Sequence, residues 1–558
     1  MKILNRVAIS SVVSSVVLLG SSPNINLPNS STIDRQLRAP IDLPIKKEES
    51  IKIEGGEEQD SLSLDDSSQT IFIKSFKIEG NTVISSDEIL NSIKEYENRD
   101  LTFKELQTLA FKISKLYHDK GYFVARAYLP SQNIEENDNV LIISVLEGLY
   151  GEFNINNSSL VKDSVIQDIF DNAKFGKIID SKRVDRAILL VNDRFGVKVS
   201  KAQLSPGEEV GSSNFNIETV STNRVDGYVV ADNYGSRYTG EYRLQGLVNV
   251  KSIFGVGDGL TFSGLVSNGA DLKNGRLAYE LPLNSYGLRA DVAYSRTNYN
   301  LVKEYEDLDA KGNSNIYEIG LSYPLYLTSD DKLYLRGKYF HKNLNDYMFD
   351  EKYQEKYINS FVASLDYVKN YYLGNLPARF SGTLNLTTGH LNSKDSKLND
   401  GRYNKIDTSL SNEIAFSQIF SLNTKLQAQK VLGHKNLDGS EDLSLGGAYD
   451  VRVYPDSQQS GSNGYIVNLE FLTQLPNIAS YTHQVGLFYD IGDVYQEIQR
   501  DSTFERERLK DVGVGYYSNY KDFFARVQMA WTANSTPITS EKTEHPNYKI
   551  LFQTGIVF

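Results

Sequence analysis

The 558-residue chain contains no cysteine, one tryptophan, three methionines and six histidines. Without cysteine there is no disulfide, no lipoprotein anchor and no thiolate-held metal. No apolar run reaches the ~20 residues that a spanning helix needs, and the mean hydropathy is −0.38. A helical-bundle membrane protein is therefore excluded. The histidines (His118, His341, His390, His434, His483 and His545) are scattered without metal-ligand spacing. A G-x-S-x-G elbow, an H-E-x-x-H pair and a phosphate loop are all missing, so no catalytic residue, metal or cofactor is expected. The acid pairs Glu57-Glu58 and Asp65-Asp66 lie in a polar tract and read as solvated charge. A basic excess is missing too: the net charge of −12 argues against a nucleic-acid partner.

What the chain does have is alternation. In Tyr242 to Lys251, Tyr242, Leu244, Val248 and Val250 fall on one face, and Arg243, Gln245, Asn249 and Lys251 on the other. Side chains of a strand have a period of two, so such a segment has one apolar and one hydrated wall. The pattern recurs at Leu288 to Ser295, Lys332 to Tyr339, Ser360 to Tyr367 and Arg379 to Leu386, and ends on Tyr548 to Phe558. Of 36 tyrosines, only Tyr96, Tyr117, Tyr122, Tyr128 and Tyr150 precede residue 223. Tyrosine suits a strand facing lipid near the headgroups, with its ring in the apolar band and its hydroxyl wet. About sixteen antiparallel strands are expected over 223–558, forming a transmembrane β-barrel with outer-membrane lipid against its wall. An even count puts both barrel ends in the periplasm, next to whatever precedes the barrel.

Residues 1–22 read as a secretory signal, with Lys2 and Arg6, an apolar core from Val7 to Leu19, and the small exit Gly20-Ser21-Ser22. Residues 23–70 are charged and serine-rich like a linker. A short helix over Ile33 to Arg38, ended by Pro40, is the one candidate there for a plug. Two α/β modules follow, at 71–148 and 149–222, each in the order strand, helix, helix, strand, strand. In the first, Ile71 to Ile78 is expected as one strand. Capping boxes open helices at Ser85 to Glu88 and Thr102 to Glu105, and Gly121 closes the second. In the second, helices are expected over Leu160 to Asp171 and Ser181 to Asn192, with strands over Gly196 to Leu204 and Asn214 to Val220.

Signal, two modules and a sixteen-stranded barrel resemble the two-partner secretion transporters, or TpsB proteins. These form the haemolysin secretion/activation branch of the outer-membrane assembly superfamily, and their periplasmic modules are POTRA domains. Three stretches carry the resemblance. Asp232-Asn233-Tyr234-Gly235 to Gly240 resembles the family's entry into the barrel. Leu445 to Tyr454, with Val451, Arg452, Val453 and Tyr454, resembles the long extracellular loop (about 433–462) that folds back into the pore. Phe488-Tyr489-Asp490-Ile491-Gly492 matches the family's F-x-D-x-G strand motif. The resemblance implies that Arg452 pairs with Asp490 and pins the loop, a pairing that guanidinium–carboxylate geometry favours. The family pattern has glycine where this chain has Val453. It also implies an unfolded TpsA-type client (adhesin, haemolysin or contact-dependent toxin), taken up by the POTRA domains. The terminal Phe558 resembles the signal read by barrel assembly machinery. An outer-membrane protein insertase and a passive porin are the alternatives.

Overall fold

The computed structural model describes residues 28–37, 53–54, 70–394, 399–456, 458–498, 506–543 and 545–558. The signal segment 1–22 and most of 23–70 lie outside the described residues.

Helix α1 spans Ser30–Gln36, three residues earlier than the spacing of Ile33 and Leu37 suggests. The shift follows from its cap. Asn29 Oδ1 accepts the amides of Ser31 and Thr32 at 3.0 and 3.1 Å, so the helix begins directly after Asn29.

The first module holds α2 (Ser86–Ile93) and α3 (Phe103–Asp119). They pack on a sheet ordered Ser75–Glu79, Val140–Leu146, Arg126–Tyr128. The single strand expected over Ile71 to Ile78 is two strands. Thr70–Ile73 pairs instead with Arg99–Thr102 in a separate ribbon. The cause is a change of parity: Ile73 is buried, and then Phe76 and Ile78 are, so the inward face switches near Lys74. Thr102 and Glu105 make the full reciprocal cap on α3. Gly121, at φ +98°, ends it.

The second module holds α4 (Asp163–Ala173) and α5 (Ser181–Asn192). Leu160 and Val161 stay out of α4, because the Leu160 amide donates to Gly196 O and its carbonyl accepts from Ser252 Oγ. The sheet is ordered Lys198–Pro206, Ser212–Val220, Leu149–Ser158, and Ile53–Glu54 joins it on the open side of Lys198–Pro206. Phe153, Ile166, Phe170, Val191, Phe215 and Ile217 centre the core. Leu327 of the barrel enters the same core.

Sixteen antiparallel strands, from Val225–Asp232 to Tyr548–Val557, close into one barrel. Outward positions such as Leu335, Tyr339, Phe361, Leu365, Leu384 and Leu386 are exposed hydrophobics. Their inward neighbours pair with each other. Arg336 meets Asp366 at 3.0 Å, Lys338 meets Asp291 at 2.9 Å, and Asn385 donates to Asp407 at 2.7 Å. This is the polar-in, apolar-out alternation of a membrane barrel.

The second module is bolted to the barrel turns. Arg194 donates to Val256 O and Asn284 O at 2.9 and 2.8 Å, and Arg186 to Pro324 O at 2.8 Å. Arg289 meets Asp193 at 3.1 Å. Burial, with Arg289 nearby, pulls the Arg194 guanidinium down to about 10. These turns therefore mark the periplasmic rim. The opposite rim carries the longer connections, among them residues 432–462.

Candidate functional site

The loop at 432–462 does not stand out from the barrel. Leu443–Leu445 and Gln459–Gly461 pair as a short ribbon, and the tip between them enters the lumen. Gly446 and Gly447 both take φ near +110°, which turns the chain at the ribbon's end. The tip residues Val451, Val453 and Tyr454 are buried together with Leu445, Ile466, Phe488, Val494, Leu509 and Ala530. Exposing these side chains on a free extracellular tip would be costly, and here the barrel wall covers them.

Arg452 sits at the centre. Its Nε lies 3.2 Å from Asp490 Oδ2, and its Nη2 lies 3.4 Å from Glu470 Oε2. Its Cζ lies 3.9 Å from the centroid of the Phe488 ring, a cation–π contact out of bulk water. The neighbouring Val453 amide donates to Asp511 Oδ2 at 2.8 Å. Asp490 faces Asp511 in register across two strands. One guanidinium is therefore set among three carboxylates, two of which, Asp490 and Asp511, are fully buried. Asn468 links tip and wall by donating to Asp450 O at 2.6 Å and to Asp490 Oδ1 at 2.8 Å.

The three residues of Phe488-x-Asp490-x-Gly492 face inward by strand parity, and each has a separate task. Phe488 carries the guanidinium and Asp490 the ion pair. Gly492 leaves room for the loop: a Cβ there would lie 2.2 Å from Leu445 Cδ1. Val453 is buried without left-handed backbone, so its branched side chain fits where the family pattern has glycine.

The Asp232 motif also reaches the loop. Asp232 is buried and accepts from Arg243 Nε, Gln245 Nε2 and the Tyr234 amide at 2.8, 2.8 and 3.0 Å. Tyr234 meets Tyr449 of the loop edge to face, with centroids 5.7 Å apart. Asn233 extends the barrel seam, where its side chain accepts from Phe552 N and donates to Ile550 O, both at 2.8 Å. A Cβ on Gly235 would meet Gly240 O at 2.0 Å, and one on Gly240, which has φ +98°, would meet Ser267 Oγ at 2.6 Å. Phe558 lies elsewhere, at the periplasmic end of the seam, where it exchanges backbone bonds with Gly227 at 2.9 and 3.0 Å.

Sequence reasoning missed the remaining ties. At the loop base, Lys342 and Lys405 both pair with Glu441, and Lys356 pairs with Asp438 at 2.6 Å. On the wall, Tyr517 donates to Glu470. Asp346 accepts the amide and hydroxyl of Ser30 at 2.7 and 2.9 Å, which seats α1 against the wall beside this loop base. Lys356 also donates to Ser31 Oγ at 3.3 Å, joining helix and loop. A signal existed, because Lys342, Asp346 and Lys356 occupy inward positions on strands, and charge there needs a partner.

Comparison with known proteins supplies the context. The family profile described as haemolysin secretion/activation protein ShlB/FhaC/HecB matches residues 211–515, and the ShlB-type POTRA domain profile matches residues 71–148. The heme/hemopexin transporter protein HuxB of Haemophilus influenzae (strain 86-028NP) is 28% identical over 78% of this chain and 78% of its own length. The outer membrane transporter CdiB of Escherichia coli is 26% identical over 70% of this chain and 67% of its own. The solved structure of CdiB from Escherichia coli has the same fold, with a TM-score of 0.73, 20% identity, and coverage of 95% of this chain and 96% of that one. The chain thus belongs to the ShlB/FhaC/HecB haemolysin secretion/activation family, the outer-membrane transporters of two-partner secretion.

Proposed function

We propose that this transporter exports one large, unfolded exoprotein, of the adhesin, haemolysin, contact-dependent toxin or hemopexin-binding kind, through its own lumen. Residues 149–222 would act as a second POTRA domain, and both modules would take up the client in the periplasm by strand addition at a sheet edge. The client would then thread the polar lumen once α1 and the loop at 433–462 shift. Arg452, with Asp490, Phe488 and Gly492, is the latch that holds the loop in the resting state. The Asp232, Asn233, Gly235 and Gly240 segment braces the seam and, through Tyr234, the loop. No catalytic step is required, and folding of the client outside the cell gives direction. The outer wall meets membrane lipid, and Phe558 is the address read by barrel assembly machinery.

The observation that carries this reading is a polar lumen filled by two elements of the same chain, both held by non-covalent contacts. Such contents can be moved aside and can return. Deleting the gene and immunoblotting culture supernatant tests it. Loss of one large exoprotein from the medium, with its retention in the periplasm, is expected. Undiminished release of every large exoprotein would overturn the reading.

A further inference from the structure

The last connection of the barrel, 533–547, joins Phe523–Thr532 to Tyr548–Val557 on the extracellular rim. Both of its flanks are pinned to the barrel. Asn534 Nδ2 donates to Arg508 O at 2.7 Å, and the Ala533 amide to Lys510 O at 3.0 Å. At the other flank, Glu541 Oε1 accepts from Ser236 Oγ and from the Arg237 amide at 2.7 and 3.1 Å. Hydrogen bonds to a carboxylate are stronger than neutral ones, so this attachment is firm.

Between those flanks the connection grips the loop at 432–462. Gln458 of the loop is buried. Its Nε2 donates to Thr539 Oγ1 and Pro537 O at 2.9 and 3.2 Å. Its Oε1 accepts from Ser540 Oγ at 2.8 Å and from the amides of Thr539 and Ser540 at 3.2 Å. One side-chain amide thus spends both its donor and its acceptor end on a single short stretch of chain. The Tyr454 hydroxyl lies 2.8 Å from Asn534 Oδ1 and 3.0 Å from Thr536 O, and Ile538 packs against the apolar group around the tip. Each of these gripping groups is uncharged. Parting them leaves polar groups that water satisfies, whereas parting Arg452 from Asp490 leaves charges to re-solvate.

We propose that 533–547 is a clasp on the resting loop, firm at Asn534 and Glu541 and releasable at Gln458 and Tyr454. Those two loop residues are positioning residues for the gate, and the loop has to part from the clasp before the lumen clears. The inference rests on the reading of the loop at 433–462 as a moving gate, and it names the contact that must open. A simpler account makes 533–547 a cover that travels with the loop as one body. The two accounts differ in whether a bridge between loop and cover blocks export.

The absence of cysteine makes the test clean. In the full chain in cells, Gln458→Cys with Thr539→Cys places one thiol pair across the clasp, and a short, reducible thiol cross-linker added outside bridges it. The exoprotein followed is the one that gene deletion removes from the medium. Bridging is expected to stop its release and reduction to restore it, so the same molecule is its own folding control. Each single-cysteine variant, treated alike, is expected to keep exporting. Tyr454→Phe, which deletes only the hydroxyl, is expected to raise the rate at which added protease cuts the loop about threefold. If deletion stops export but the bridged chain exports as well as the reduced one, the clasp falls and the secretion reading stands. If deletion leaves export intact, the secretion reading falls and the protease rates decide the clasp by themselves, an unchanged rate for Tyr454→Phe overturning it.

Discussion

Two elements fill the lumen, and they are held in different ways. The loop tip is fixed by an ion-pair cluster, a cation–π contact and a buried apolar group of nine residues. Helix α1 is fixed by Ile33, seated against Tyr238, Leu272, Tyr299, Leu301 and Ala310, with Leu37 packed beside it, and by Ser30 on Asp346. At seven residues, α1 is shorter than the roughly 12–15 that hold a helix in water, so its form depends on the wall around it. The loop carries its own ribbon and more buried area. The helix is therefore the element removed at lower cost, and the loop is the one whose movement needs its charges re-solvated.

The largest effect is expected at Arg452. Arg452→Glu would place a fourth carboxylate among Asp490, Glu470 and Asp511, and breaking a buried pair costs about 3–5 kcal/mol. Secretion should be lost and single-channel conductance in planar bilayers should change. Adding Asp490→Arg should restore part of both. Wild-type behaviour of both single variants would remove the latch from the account.

Next comes Gly492→Ala, whose Cβ collides with Leu445. Overpacking of this kind costs about 1–3 kcal/mol. The loop should be more readily cut by added protease, while the barrel stays folded by its heat-modified gel mobility. Unchanged cleavage would mean that Gly492 does not seat the ribbon.

A smaller change is expected at the helix. Asp346→Ala removes the acceptor for Ser30 and for the Tyr299 hydroxyl. Open-state dwell time should rise with the loop still protected, separating the two elements. If loop protection falls as well, the helix and loop move as one body, as the Lys356 bond to Ser31 and Asp438 would then explain. Smallest is Asn233→Ala, which deletes two side-chain bonds at the seam at a cost of about 1–3 kcal/mol. It should lower the unfolding temperature of the barrel without opening the pore.

Much of this was legible in the residues because a barrel wall writes its two faces into alternate positions. The sixteen strands and the inward parity of Phe488, Asp490 and Gly492 follow from that period, whereas the Arg452–Asp490 pairing came from the family resemblance. Local caps were legible for a different reason: Thr102 and Glu105 close on each other within four residues. Contacts between distant segments were not. Glu470 and Asp511 reach Arg452, and Lys342 finds Glu441, only because the loop turns inward against the wall. The break at Lys74 was written in the shift of buried parity from Ile73 to Phe76, which a single-strand assignment passes over. Nothing local to Ile53 and Glu54 points to Ala202 and Gln203, since an edge pairing depends on main-chain groups that every residue has.

The central claim is that the client passes through the lumen. With no native thiol in the chain, a single cysteine reports one face of the wall. Asn385 points inward, and the adjacent Leu386 is exposed on the outer face of the wall. During export, a short bifunctional thiol cross-linker on Asn385→Cys should capture the exoprotein in transit, and the same reagent on Leu386→Cys should not. Continued export with no adduct at Asn385→Cys, or equal adducts at both positions, would contradict passage through the barrel.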